Sequence, residues 1–165
     1  MADPIWLDGY SGQRIDELIA LERTHRIDSL LLALEQAIRS DAAQTGPNPI
    51  CDEARTVLAI EALEREVNNG GYHQFFVNTP EFAPVIVESL RQIGCLKVAS
   101  ITEDAISALK LTRVTPDEVE QVIYDEDEVR DQALTRCDEQ FFEYPEPIAD
   151  RLFAFVKANR DKFKL

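Results

Sequence analysis

Apolar residues recur along this chain at intervals of three and four, and no stretch alternates apolar with polar as a half-buried strand does. The clearest stripe is Ile27, Leu30, Leu31, Leu34 and Ile38, inside a helical region expected over about residues 13–43 with a break near Thr24. Ala54, Val57, Leu58, Leu63 and Val67 give a later helix one broad apolar face. Ile148, Leu152, Phe155 and Val156, at i, i+4, i+7 and i+8, mark the last one. Each of the six glycines falls where a helix would begin or end, and the loop Thr45-Gly-Pro-Asn-Pro closes the first region. Thr79-Pro80 reads as an N-cap with its first helical residue. Thr115-Pro116 repeats the signal, with Glu118 completing a capping box, and Tyr144-Pro-Glu-Pro launches the final helix. The expected fold is all-α: one compact single-domain bundle over residues 1–165, built from about seven or eight short helices.

Residues 66–78, Glu-Val-Asn-Asn-Gly-Gly-Tyr-His-Gln-Phe-Phe-Val-Asn, compress a helix end and an aromatic restart into thirteen positions. Asn68, Asn69, Gly70 and Gly71 supply residues that tolerate left-handed backbone, so the chain turns sharply there. Tyr72, Phe75 and Phe76 follow at i, i+3 and i+4, with their rings on one side of a helical turn where they can fill a core. The same block holds Glu66, His73, Asn69 and Asn78, a conceivable hydrolytic cluster with Glu66 and His73 as the reacting pair and the asparagines orienting. A helix end followed by an aromatic anchor accounts for these residues without chemistry.

This block, with its Asn-Asn-Gly-Gly-Tyr-x-Gln-Phe-Phe core, resembles the signature of a bacterial family first catalogued as a domain of unknown function, the nineteen-kilodalton DNA-mimic proteins. The likeness continues through residues 83–108, where a helix carrying Val85, Ile86, Leu90 and Ile93 ends at Gly94 and another begins. It resumes at Asp138-Glu-Gln-Phe-Phe-Glu-Tyr-Pro-Glu, covering roughly residues 46–165 in all. The resemblance implies an all-helical, acidic homodimer that occupies the DNA-binding surface of a transcription regulator of helix-turn-helix type.

Charge makes that implication physically coherent. The 165 residues include 31 acidic and 17 basic ones, a formal net charge of −14. Such a chain is repelled by DNA, RNA and anionic membranes, while basic partners remain open to it. A chain of this length buries about 68–70% of its unfolded surface, enough for a substantial core. Cys51, Cys95 and Cys137 are scattered singly, which fits neither a disulfide framework nor a zinc site and points to a reducing compartment. With no basic leader and no apolar run of about 18 residues, the expected location is the cytoplasm.

The acidity is concentrated. Asp117, Glu118, Glu120, Asp125, Glu126, Asp127, Glu128 and Asp131 face Arg130 alone, a formal −7 and half of the chain's net charge within seventeen residues. Carboxylates at i, i+3 and i+4 of a helix sit on Cβ atoms about 5–6 Å apart and can approximate a row of phosphates. These eight are the candidate phosphate mimics, with Asp16 and Glu17, and beyond them Glu22 and Asp28, as further contributors from the first helix. The competing explanation is an ordinary solvated acidic face whose acids serve helix ends: Asp117 and Glu118 in a first turn, Asp125 as an N-cap with Glu128 as its reciprocal partner. The run Asp125-Glu126-Asp127-Glu128 fails the EF-hand pattern, since no glycine follows Gly94. No metal or cofactor is expected. His25 and His73, the only histidines, belong to no H-E-x-x-H motif, and neither a P-loop nor a nucleophile elbow occurs. The alternatives to mimicry are therefore an adaptor using apolar contacts around Trp6 and Tyr10, or a hydrolase at the 66–78 junction.

Overall fold

The computed structural model describes residues 2–46 and 49–165, and within them the chain is all-α. The helices are α1 (Ile15–Ala20), α2 (Ile27–Thr45), α3 (Asp52–Asn78), α4 (Ile86–Gln92), α5 (Leu96–Ala108), α6 (Pro116–Ile123), α7 (Glu128–Phe141) and α8 (Ile148–Ala158). Short 3-10 turns follow α1, α3 and α8. Two residues of the expected 45–49 loop, Pro47 and Asn48, lie outside the described residues. The only β-type pairing among those described is an isolated bridge between Ile5 and His25.

The chain divides into two compact units, residues up to Glu61 together with Ile148–Leu165, and Ala62–Pro147. In the first, α2 packs against α1 and α8. The stripe read from the sequence does the burying: Leu30 and Leu31 are fully buried, Leu34 and Ile38 nearly so. The break near Thr24 is real, because a 3-10 turn (Leu21–Arg23) intervenes and Arg26, the residue before α2, is in extended backbone. The N-terminal segment is laid over this break, with the Ile5 N–H donating to the Thr24 carbonyl at 3.0 Å and the Arg26 N–H to the Ile5 carbonyl at 2.8 Å. On α8 the buried aromatic is Phe153, while Phe155 is half-buried, so the apolar arc is one position wider than the i, i+4, i+7, i+8 pattern suggested.

In the second unit α5 packs against α4 and α7, and α6 against the 3-10 turn Pro80–Phe82. Gly94 ends α4 with φ +82°, as the sequence required. Thr79-Pro80 is a correction. Pro80 opens only that 3-10 turn, and the Thr79 hydroxyl donates back to the Phe75 carbonyl at 2.8 Å instead of capping a helix that begins later, at Ile86. Thr115 does cap α6, accepting from the Glu118 N–H at 3.3 Å, but the reciprocal half of the box is absent. The Glu118 carboxylate instead accepts from the Arg113 N–H at 2.8 Å and from its guanidinium at 3.2 Å. α5 has no side-chain cap of its own at Cys95, and Glu146 serves from 48 residues away, accepting the Val98 N–H at 3.0 Å.

Candidate functional site

At the 66–78 junction the helical backbone fails at two residues. Gly70, at φ −161°, is extended in a way open to any residue. Gly71, at φ +74° and ψ −176°, is in a region essentially reserved for glycine. A Cβ on Gly71 would stand 2.4 Å from Asp138 Oδ2. Asp138 is there because the Tyr72 N–H, a leading donor of the helix that resumes after the kink, donates to its Oδ1 at 2.7 Å. Burial pushes the Asp138 carboxyl above its ordinary pKa, and the Tyr72 amide only partly opposes that.

The aromatic restart is core, as its spacing indicated. Tyr72, Phe75 and Phe76 are all fully buried, and Phe141 meets the Tyr72 ring edge-on at 6.0 Å. The Tyr72 hydroxyl shares a buried hydrogen bond of 2.8 Å with Thr102, and burial drives its pKa well above the usual phenol value. Asn68 accepts from the Tyr144 hydroxyl at 2.9 Å and donates to the Glu64 carbonyl at 2.7 Å, while Asn69 is exposed. Tyr144 adopts φ +47°, unusual for so bulky a residue, as the chain leaves α7 for Pro145. The two sequence blocks around residues 66–78 and 138–146 thus meet through Tyr72–Asp138 and Asn68–Tyr144.

Glu66 is buried, and its carboxylate accepts from Asn78 at 2.8 Å, Gln74 at 2.9 Å and Arg65 at 3.3 Å. Burial alone would raise its pKa, but the donors from Asn78, Gln74 and Arg65 outweigh it and hold the carboxyl below the ordinary value. That is opposite to the shift a general base working near neutral pH needs. Asn78 is brought onto Glu66, whereas His73 is exposed and not among its hydrogen-bond partners. A depressed folded-state pKa means stability that is present above the unfolded-state value and lost as pH falls through the folded one. Glu66→Gln is therefore expected to cost about 2 kcal/mol at neutral pH. The gap to the parent should shrink as pH falls through the acid range, which urea denaturation at a series of pH values measures.

The acidic stretch occupies α6, α7 and the turn between them, and a buried cation organises it. Arg130, only 4% exposed, donates to the carbonyls of Val122 at 2.5 Å and Asp125 at 2.7 Å, and to Asp131 Oδ1 at 3.0 Å. The α7 cap is Asp127, whose Oδ1 accepts the Arg130 N–H at 2.9 Å, and not Asp125 as the sequence suggested. Asp125 is still in the turn, its N–H bonded to the Val122 carbonyl at 3.2 Å and its own carbonyl held by Arg130. The Arg130 backbone amide is the main reason the Asp127 carboxyl lies below its usual pKa; for Glu118 it is the Arg113 amide.

Of the eight candidate carboxylates, Glu118, Asp127 and Asp131 are thus engaged with Arg113, the α7 amides and Arg130. Asp117, Glu120, Asp125, Glu126 and Glu128 are exposed and form no ion pair among the described residues. Tyr124 and Val129, on the same stretch, are also exposed. Asp16 and Glu17 belong to the other unit. There Glu17 accepts the Arg14 N–H at 2.7 Å and closes the start of α1, and Asp16 lies 3.9 Å from the Arg160 guanidinium. Glu22 pairs with Lys157 and Asp28 with Arg26, each at 2.6 Å.

Sequence reasoning missed the roles of Arg130, Asp138 and Glu146. Arg130 carried a signal, as the one base among eight acids; for the other two, the partner amides 66 and 48 residues away leave no local trace. Among the described residues Cys51, Cys95 and Cys137 form no disulfide, the last two are buried, and burial pushes the Cys137 thiol up to about 11. Among the described residues no group of three or more His, Cys, Asp or Glu side chains is placed to hold a metal ion, and no helix is long and apolar enough to cross a membrane. In comparison with known proteins, the family model described as DMP19-like protein matches residues 48–159. No curated protein and no solved structure matches the chain.

Proposed function

Because this chain belongs to the DMP19-like protein family, we propose that it acts as a DNA mimic, occupying the DNA-binding surface of a transcription regulator of helix-turn-helix type and blocking its access to DNA. The observation that carries this reading is the set of five exposed carboxylates that form no ion pair among the described residues, Asp117, Glu120, Asp125, Glu126 and Glu128, on two helices and a turn fixed by Arg130. A DNA-binding protein presents Lys, Arg and helix N-termini to phosphate oxygens, and these groups accept carboxylates as readily. Carboxylates carried on backbone that is already fixed sacrifice less conformational entropy on docking than carboxylates on a loose loop. The field of a chain at −14 also speeds encounter with a basic partner. The acting form is a bacterial homodimer, following the family likeness of the 66–78 block, and its place is the cytoplasm, following the scattered single cysteines.

The test is capture of partners from host lysate, with salt elution and displacement by duplex DNA, followed by affinity measurement on a charge-reversed protein. Asp125, Glu126 and Glu128 are the positions to change to lysine, because Asp127 is needed as the α7 cap. Close interfacial charge pairs carry coupling of about 1.5–7 kcal/mol, so the triple reversal should raise Kd by about a hundredfold or more. Affinity should also fall as salt rises. Unchanged affinity after reversal would overturn this placement of the surface. The exposed Ile5 and Trp6 favour an adaptor as the second reading, and a partner insensitive to salt would support it.

A further inference from the structure

The turn between α6 and α7 carries an aromatic ring that the packing of its unit leaves outside. Tyr124 is 69% exposed, whereas Tyr72, Phe75, Phe76 and Phe141 in the same unit are buried. Its backbone is nonetheless fixed, since the Arg130 guanidinium holds the carbonyls of Val122 and Asp125 on either side of it. Glu120, Asp125 and Glu126 flank it in sequence, exposed and without ion pairs among the described residues.

An exposed aromatic ring with carboxylates one, two and four residues from it along the chain suits one cation better than the other. A planar guanidinium stacks on the ring while its N–H fork reaches a carboxylate, whereas an ammonium is compact, strongly hydrated and indifferent to the ring plane. The chain builds this arrangement for itself elsewhere. The Arg26 guanidinium carbon lies 5.5 Å from the centre of the Trp6 ring while its nitrogens bond both Asp28 oxygens, at 2.6 and 3.1 Å.

We propose that Tyr124 is an arginine-reading station, taking up an arginine side chain of the partner's basic surface between its ring and the neighbouring carboxylates. This rests on the mimic reading and sharpens it. A row of carboxylates attracts lysine and arginine alike, while the ring selects partners that present arginine at the centre of the docking surface.

Titration of the full chain with hexa-arginine and hexa-lysine peptides by calorimetry tests the assignment. Hexa-arginine should bind roughly fivefold more tightly. That preference should disappear in Tyr124→Leu and persist in Tyr124→Phe, with hexa-lysine affinity and its salt dependence unchanged in both. Equal affinity for the two peptides, survival of the preference in Tyr124→Leu, or failure of both peptides to bind would overturn it. The charge-reversed triple variant separates the two levels. Undiminished hexa-lysine binding there removes the acidic surface itself, whereas loss of lysine binding together with an arginine preference that ignores Tyr124 removes only the station.

Discussion

Gly71→Ala is expected to destabilise the chain by about 3–5 kcal/mol, a large fraction of a domain's total stability. Two costs act at one atom. The backbone at φ +74° and ψ −176° is strained for any residue with a Cβ, at about 1–3 kcal/mol. The new methyl would also meet the Asp138 carboxylate at 2.4 Å and displace it from the Tyr72 N–H, a charge-assisted hydrogen bond worth about 1.5–3 kcal/mol. Gly70→Ala is the control. Its φ of −161° strains nothing, and its added Cβ meets the Gln74 side chain, which must shift and loosen one of the three donors to Glu66, while Asp138 and the Tyr72 N–H stay joined. Both variants should lower the urea midpoint, with Gly71→Ala the lower because backbone strain is added there to the displaced side chain. Similar midpoints would show that Asp138 moves aside freely and that the junction is softer than its geometry implies.

Arg130→Met is expected to cost about 3 kcal/mol and, separately, to weaken partner binding under conditions where the variant is fully folded. A buried ion can often be exchanged for an apolar residue without loss. Here the acceptors include the main-chain carbonyls of Val122 and Asp125, which stay behind when the guanidinium goes. Arg113→Met removes a cation whose side chain is 78% exposed and should cost less than about 1 kcal/mol. Arg130→Lys should recover little, because an ammonium cannot span both carbonyls and Asp131 with a planar fork. Denaturation reads the first effect, and amide hydrogen exchange across residues 124–127 reads the loosening of the turn. Protection there equal to the parent's would sever the link between Arg130 and the presentation of the acids.

The all-α class, the break near Thr24, the stop at Gly70-Gly71 and the buried aromatics after it were legible because each rests on local chemistry. Periodicity places the stripes, and glycine marks where backbone must leave the helix. The start of α6 was legible for the same reason, since Thr115 and Pro116 act on amides within one turn. The α7 cap was not, because Asp125-Glu126-Asp127-Glu128 offers two aspartates two residues apart and composition cannot rank them. What ranks them is Arg130, which takes the Asp125 carbonyl into the turn and leaves Asp127 to meet the first amides of the helix. Asp138 and Glu146 were illegible for a different reason. Each satisfies a backbone donor far away in sequence, and nothing near either residue announces that demand. The acidic surface was legible as a density of charge. Which of its members are already engaged required the positions of Arg113 and Arg130.

The division of the chain also sets an order of synthesis. Ala62–Pro147 is one uninterrupted stretch, so every residue of that unit has been made before α8 exists. The other unit draws on both sides of it, and α2 must wait for α8, one of the helices it packs against. At about 5–20 residues per second that wait lasts several seconds, long enough for a chaperone to hold the exposed helices. The unit begun first is the unit finished last.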